Sequence, residues 1–167
     1  PFTPFAPIPQ GRKNLIAKSK LTTVRRKVLQ ELELLVIDEI SMVRADLLDA
    51  VDTMLRHFRY RANEPFGGVQ VVYIGDMYQL SPVVPDEERQ LLSQFYEGPY
   101  FFQSKVVRQQ PPVFIELDRV FRQTNEQFIS LLNEVRNNCL TGAGEQCLNS
   151  RYIADFRPSN EDGYITL

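Results

Sequence analysis

Two short, largely apolar runs, each ending in acid, constrain this sequence more than any other feature. The first is Leu34-Leu35-Val36-Ile37 followed by Asp38-Glu39; the second runs from Val69 to Ile74 and ends in Gly75-Asp76. Continuous rather than alternating hydrophobicity predicts parallel strands buried on both faces. Between them Val43, Leu47, Leu48, Val51, Leu55 and Phe58 recur at helical spacing, with Ser41 as the expected N-cap. Helices are also expected over 19–32, 86–96 and 101–108, and a third strand over 113–117. A further helix is expected after Thr124 as cap, with Gln127 completing a capping box and Phe128, Leu131, Leu132 and Val135 as its buried stripe. Strands alternating with helices specify an α/β layer fold with a mostly parallel sheet flanked by helices.

Composition removes other classes. With 43% hydrophobic residues over a length of 167, the chain is not disordered, and it fits one domain or one domain plus a stub. No run approaches the roughly 18–20 apolar residues of a membrane span, and no signal peptide opens the chain. Cys139 and Cys147 lack both the number of a disulfide scaffold and metal-ligand spacing, so they read as intracellular thiols. The net charge of −2 hides a segregation: residues 12–30 carry Lys18, Lys20, Arg25 and Arg26 among other bases and no acid. Such a run is either a solvated helix face or a contact to a phosphate backbone. Before it, PFTPFAPIPQG cannot be helical and reads as an extended, proline-stiffened segment. The sole histidine, His57, falls at a helix end and is expected on the surface. The chain begins at Pro1 without an initiator methionine, which is read as a piece of a longer protein.

In open parallel sheets, ligands bind outside the carboxyl ends of the strands. Each expected strand delivers polar groups there: Asp38-Glu39, then Gly75-Asp76 with Gln79 close behind, then Arg119 and Arg122. Chemistry on an ATP γ-phosphate needs one carboxylate for a Mg²⁺ shell and a second to orient or deprotonate water. It also needs a polar group to sense the phosphate and a cation to neutralise developing charge. One candidate stands ready for each role. The plainer alternatives are solvated carboxylates at a helix N-terminus, an Asp76-anchored turn with Gln79 exposed, and a surface Arg122 paired with Asp118 or Glu126.

Those residues also carry a resemblance. LLVIDEISMV at 34–43 resembles the DEISM form of helicase motif II, PFGGVQVVYIGDMYQLSPV at 65–83 resembles motif III, and FIELDRVFRQ at 114–123 with FISLLNEVR at 128–136 resembles motif IV and the helix after it. Together they are similar to the Pif family of superfamily-one DNA helicases, over about residues 15–140. The resemblance implies a partial RecA-like (P-loop NTPase) domain, ATP and Mg²⁺ as cofactors, and single-stranded DNA and duplex junctions as partners, with unwinding 5′-to-3′. It implies Asp38 on the metal, Glu39 activating water, Gln79 sensing the γ-phosphate and Arg122 contacting it, with Asp76 supporting the turn. Ser81 departs from the family, which has the first of two prolines there. Lys18, Lys20, Arg25, Arg26 and Tyr78 are the candidate DNA contacts.

The family's phosphate-cradling GxxxxGK[ST] loop is absent from these 167 residues. The resemblance places it before Pro1, and a second RecA-like domain after the chain, with 164–167 as the start of its first strand. The expected organisation is a proline-rich segment at 1–17, the C-terminal part of a motor domain at 18–140, and a linker with the start of the next domain at 141–167. The segment alone is then expected to be inactive, and the parent to be an intracellular enzyme, in the cytoplasm or nucleoid if bacterial, with no membrane partner. Two other classes stay open: a non-catalytic nucleic-acid-binding module, and a Mg²⁺-dependent nuclease or phosphatase using Asp38, Glu39 and Asp76.

Overall fold

The computed structural model describes Ile16 and residues 21–156. Lys18, Lys20, the proline-rich start and the strand expected at the C-terminus lie outside the described residues. The chain forms two compact units that meet at Ile115 and Glu116 in the sequence, and each is taken by itself.

In the first unit, α1 (Thr23–Glu31) begins later than the expected residue 19, because the Thr22 hydroxyl accepts from the Arg25 N–H and caps it. Then come β1 (Leu34–Ile37), a 3₁₀ turn (Ile40–Met42), α2 (Ala45–Phe58), a 3₁₀ turn (Pro65–Gly68), β2 (Gln70–Tyr73), α3 (Asp86–Ser93), a 3₁₀ turn (Phe101–Gln103) and α4 (Lys105–Gln109). β1 and β2 pair in parallel, Leu34 opposite Gln70 through Ile37 opposite Tyr73. Leu35, Ile37, Val71 and Tyr73 pack on a core of Leu48, Leu55, Phe66, Val69, Val106 and Val107.

The opposite face of the sheet departs from expectation. Leu34, Val36 and Val72 are 48%, 51% and 37% exposed, so the strands are buried on one face only. Alternate residues of a strand point to opposite faces, and nothing among the described residues covers the second one. The third strand expected at 113–117 is likewise not formed: the segment joins no ladder, and Val113, Phe114, Ile115 and Leu117 are exposed. A strand requires a neighbour for its backbone groups, and the ladder here consists of β1 and β2.

α2 is the hub of this unit, but its buried face is not the expected apolar stripe. Leu48, Leu55 and Phe58 are buried as expected, whereas Leu47 is partly exposed and Asp46, Asp49 and Asp52 are buried. Ser41 is not the helix cap. It lies in the 3₁₀ turn before Val43, and the N-cap position belongs to Arg44. The Arg59 guanidinium closes the C-terminal end of α1 by donating to the carbonyls of Leu29, Gln30 and Leu32, and it also reaches the Gly67 carbonyl.

The second unit contains α5 (Glu126–Arg136) and α6 (Gly142–Asn149). The cap of α5 is Asn125, whose side-chain oxygen accepts from the Phe128 N–H at 2.9 Å, and not Thr124. Of the expected stripe only Leu131 is buried; Phe128, Leu132 and Val135 are 42–52% exposed. The Glu134 carboxylate accepts from the Thr141 N–H and hydroxyl, and these two bonds hold its carboxyl below the usual range. His57 and Cys139 are exposed, and both cysteines are free thiols. No described helix is long and apolar enough to cross a membrane.

Candidate functional site

Because β1 and β2 are parallel and in register, their C-terminal ends emerge side by side. The ladder continues one step past the strands: the Ile74 N–H donates to the Ile37 carbonyl, and the Ile40 N–H to the Ile74 carbonyl, each at 2.9 Å. This brackets the Asp38-Glu39 turn against Gly75-Asp76. A side chain at residue 75 would not fit there, since its Cβ would lie 2.9 Å from Ile40 Cγ2 and 3.0 Å from the Ile40 nitrogen. The missing side chain lets the two turns touch.

The first turn is sharp. Glu39 adopts a left-handed backbone, φ 52° and ψ 42°, a conformation that costs a residue other than glycine about 1 kcal/mol. The Glu39 N–H donates to Asp38 Oδ1 at 2.9 Å, and both side chains are exposed beyond the strand end. The second turn is built on Asp76. Its Oδ1 accepts from the Tyr78 N–H at 3.0 Å and its Oδ2 from the Gln79 side-chain amide at 3.2 Å. This is the Asp-anchored turn expected as the plainer alternative, with Asp76 holding an exposed Gln79.

The donor set separates the acids by role. Asp76 has both oxygens engaged, whereas Asp38 keeps Oδ2 outside the turn that its Oδ1 closes. Among the described residues no three His, Cys, Asp or Glu side chains gather to hold a metal ion. One free carboxylate oxygen at a strand end fits Mg²⁺, which takes one or two carboxylates and completes its shell with water and nucleotide phosphates. It does not fit an all-protein metal cage.

The remaining candidates are placed as follows. Tyr78 is 69% exposed beside Gln79. Arg25 and Arg26 lie exposed on α1, and the Arg26 guanidinium sits 5.9 Å from the Phe58 ring centroid. Arg122 belongs to the second unit, where it is exposed and pairs with neither Asp118 nor Glu126. Arg119 lies over the Phe121 ring at 5.5 Å. Beyond the Gln79 turn, residues Ser81, Pro82 and Val84 run along a cleft of about 430 Å³ whose other walls include Arg89, Leu92 and Tyr100.

Sequence reasoning missed the buried and half-buried polar groups that tie together the elements following these turns. Arg44 donates through Nε and Nη2 to both oxygens of Asp46, at 2.9 and 2.8 Å, and through Nη1 to Glu88 of α3. Burial works to lower the Arg44 pKa, but its bonds to Asp46 and Glu88 outweigh it and hold the guanidinium further above its ordinary value. Asp49 accepts from the Tyr96 hydroxyl and the N–H groups of Lys105 and Val106. Asp52 accepts from Arg56 and from the Phe66 N–H. The available signal was the spacing: acids at 46, 49 and 52 share the helix face that carries Ala45, Leu48 and Leu55.

The PIF1-like helicase family model matches residues 5–143. The human ATP-dependent DNA helicase PIF1 is 46% identical over 103 residues, which is 61% of this chain and 14% of that protein. The Saccharomyces cerevisiae ATP-dependent DNA helicase RRM3 is 35% identical over 132 residues, 79% of this chain and 16% of that protein. The crystal structure of Bacteroides Pif1 bound to single-stranded DNA superposes with a TM-score of 0.82 at 41% identity, covering 96% of this chain and 36% of that one. The Bacteroides enzyme in complex with ADP-AlF3 and single-stranded DNA gives the same TM-score at 39% identity. The chain thus spans about a seventh of these curated relatives and about a third of the chains in these solved structures, and its fold is part of their RecA-like α/β domain.

Proposed function

The chain belongs to the PIF1-like helicase family, and from that premise we propose that it supplies the hydrolytic and phosphate-sensing turns of an ATP-dependent DNA helicase motor. The observation that carries this reading is the contact of the two strand-end turns across Gly75, which brings the turn bearing Asp38 and Glu39 against the start of the turn in which Asp76 holds Gln79, with Glu39 and Gln79 both exposed. The named relatives support it, being ATP-dependent DNA helicases and, in the Bacteroides case, binding single-stranded DNA.

In this reading Asp38 would hold Mg²⁺, which would supply neutralisation of charge on the nucleotide phosphates. Glu39, exposed in the left-handed turn at the strand end, accepts a proton from the attacking water. Gln79, steadied by Asp76, reports the γ-phosphate to the segment that follows it. Arg122 enters through the sequence resemblance, as the cation that meets charge on the transferred phosphate. Arg25 and Arg26, with Lys18 and Lys20, contribute backbone contacts to single-stranded DNA, and Tyr78 offers a ring for a base to stack on. Translocation runs 5′-to-3′ and opens duplex junctions. The phosphate-cradling loop and the second RecA-like domain come from the rest of the protein, so these 167 residues alone do not hydrolyse ATP.

The test is ATP hydrolysis by the intact protein with and without single-stranded DNA. DNA should stimulate turnover, and Glu39→Gln should lower kcat by about 100-fold or more while ATP and DNA still bind. Undiminished hydrolysis in Glu39→Gln removes the assigned role. No hydrolysis by the intact wild type favours a non-catalytic DNA-binding module instead.

A further inference from the structure

The two strand-end turns part company immediately after they touch. The first continues through the 3₁₀ turn at Ile40–Met42 into α2; the second continues through Pro82 and Pro85 into α3. They meet again at a single cation. Arg44, the first residue before α2, has two of its three guanidinium nitrogens, Nε and Nη2, on Asp46, which is 2% exposed, and the third, Nη1, on Glu88 in the first turn of α3. The Arg44 and Glu88 side chains are themselves 18% and 17% exposed. The backbone fixes the same place a second time: Arg44 forms an antiparallel bridge with Tyr100, and the Ala45 N–H donates to the Pro99 carbonyl at 2.8 Å.

Arg44 is five residues from Glu39, and Glu88 is nine from Gln79. Gly75 closes the ring of chain at one end, and the Arg44–Glu88 pair closes it at the other. A guanidinium held by three hydrogen bonds to two carboxylates cannot turn about its axis as an ammonium can, so α3 is held in register with the start of α2. We infer that Glu88, acting through Arg44, is a positioning residue for hydrolysis: the clamp locks the segment after Gln79 onto the segment after Glu39, and so fixes the sensing amide relative to the water-activating carboxylate. This rests on the proposed function above and assigns its site a second support. It also makes α3, one wall of the 430 Å³ cleft, mechanically continuous with the hydrolytic turn.

The clamp predicts a separation of kinetic parameters. Displacing Glu39 from Gln79 spoils the attack geometry without touching what holds the nucleotide, so kcat falls and KM for ATP stays. Arg44→Ala is the wrong probe, because it strands the buried Asp46 carboxylate and the protein can lose its fold. Glu88→Ala leaves the Arg44–Asp46 pair intact. In the intact protein with saturating single-stranded DNA, Glu88→Ala should lower kcat about ten-fold with KM for ATP within about two-fold. Glu88→Gln keeps an acceptor for Arg44 and should recover most of the loss. Glu87→Ala, an exposed change in the same helix turn, should match the wild type. Either a kcat for Glu88→Ala within about two-fold of the wild type, or an equal loss in Glu87→Ala, overturns the positioning role. The underlying reading fails separately, by absence of DNA-stimulated hydrolysis in the wild type or its persistence in Glu39→Gln.

Discussion

Five carboxylates between residues 38 and 52 meet opposite fates. Asp38 and Glu39 stand exposed at a strand end, with one local hydrogen bond between them. Asp46, Asp49 and Asp52 are 2–3% exposed, and each is answered by donors: Asp46 by Arg44 just before the helix, Asp49 and Asp52 by groups of the helix itself or of segments later in the sequence. The residue type is the same, so the difference lies in what the fold brings to meet it. A buried acid survives when its hydrogen-bonding capacity is filled, and then it becomes a node on which loops are assembled. An acid left open at the carboxyl end of a parallel strand is available to a ligand. In this fold, the buried set builds the platform and the exposed set is displayed on it.

The largest effect expected from this contrast is at Asp49. Its carboxylate satisfies two backbone N–H groups at the start of α4 and the Tyr96 hydroxyl, so Asp49→Ala leaves three donors in a dry site. The loss should be about 3–5 kcal/mol of unfolding free energy, read by urea denaturation. Asp38→Ala is the counterpart: stability should stay within about 0.5 kcal/mol while hydrolysis is lost. Equal stability losses for the two variants would break the comparison, since Asp38 would then also be a structural node.

Gly75→Ala probes the contact between the two turns. The added methyl meets Ile40 at 2.9–3.0 Å, including a backbone nitrogen that cannot swing aside. The turns must separate, at a cost of about 1–3 kcal/mol, and hydrolysis should fall by more than that loss of folded protein explains. Melting temperature and kcat measured on the same preparation distinguish the two contributions. A variant that melts early but turns over normally would show that the turns need not touch for chemistry.

These contrasts also explain what the sequence disclosed. The parallel pair and its acidic ends were legible because Leu34–Ile37 is wholly apolar, Val69–Ile74 is apolar except for Gln70, and the two runs stop at Asp38 and Gly75. Burial on both faces was not, because a strand's outer face depends on a layer that its own residues do not encode. Residues 113–117 have the composition of a strand, but a ladder needs a neighbour as well as a composition. Periodicity put Leu47 inside α2 and left the acids outside. It reads hydrophobicity and is blind to Tyr96, Lys105 and Phe66, which arrive from far along the chain to satisfy those acids. The cap of α5 moved from Thr124 to Asn125 for a smaller reason: two good capping residues are adjacent, and only the backbone chooses between them.

The smallest expected effect is a pH dependence that reports directly on the buried set. Tyr73 sits half-buried on β2, and burial first, then the negative charge of Asp52, pushes its phenol from 10.0 up to about 12. Between those two values the unfolded chain has lost a proton that the folded chain keeps. The folded state therefore binds more protons than the unfolded one, and stability falls as pH rises. The contribution is complete below pH 10.0, declines above it, and is gone once pH passes about 12. Tyr73→Phe should remove this component, so the informative quantity is the difference between wild-type and variant unfolding curves across the alkaline range. Asp52→Asn should shrink the same difference without abolishing it, because burial is the larger cause. If Asp52→Asn leaves the difference unchanged, the Asp52 charge is fully screened from the β2 phenol, and the buried acids act on their surroundings through hydrogen bonds alone.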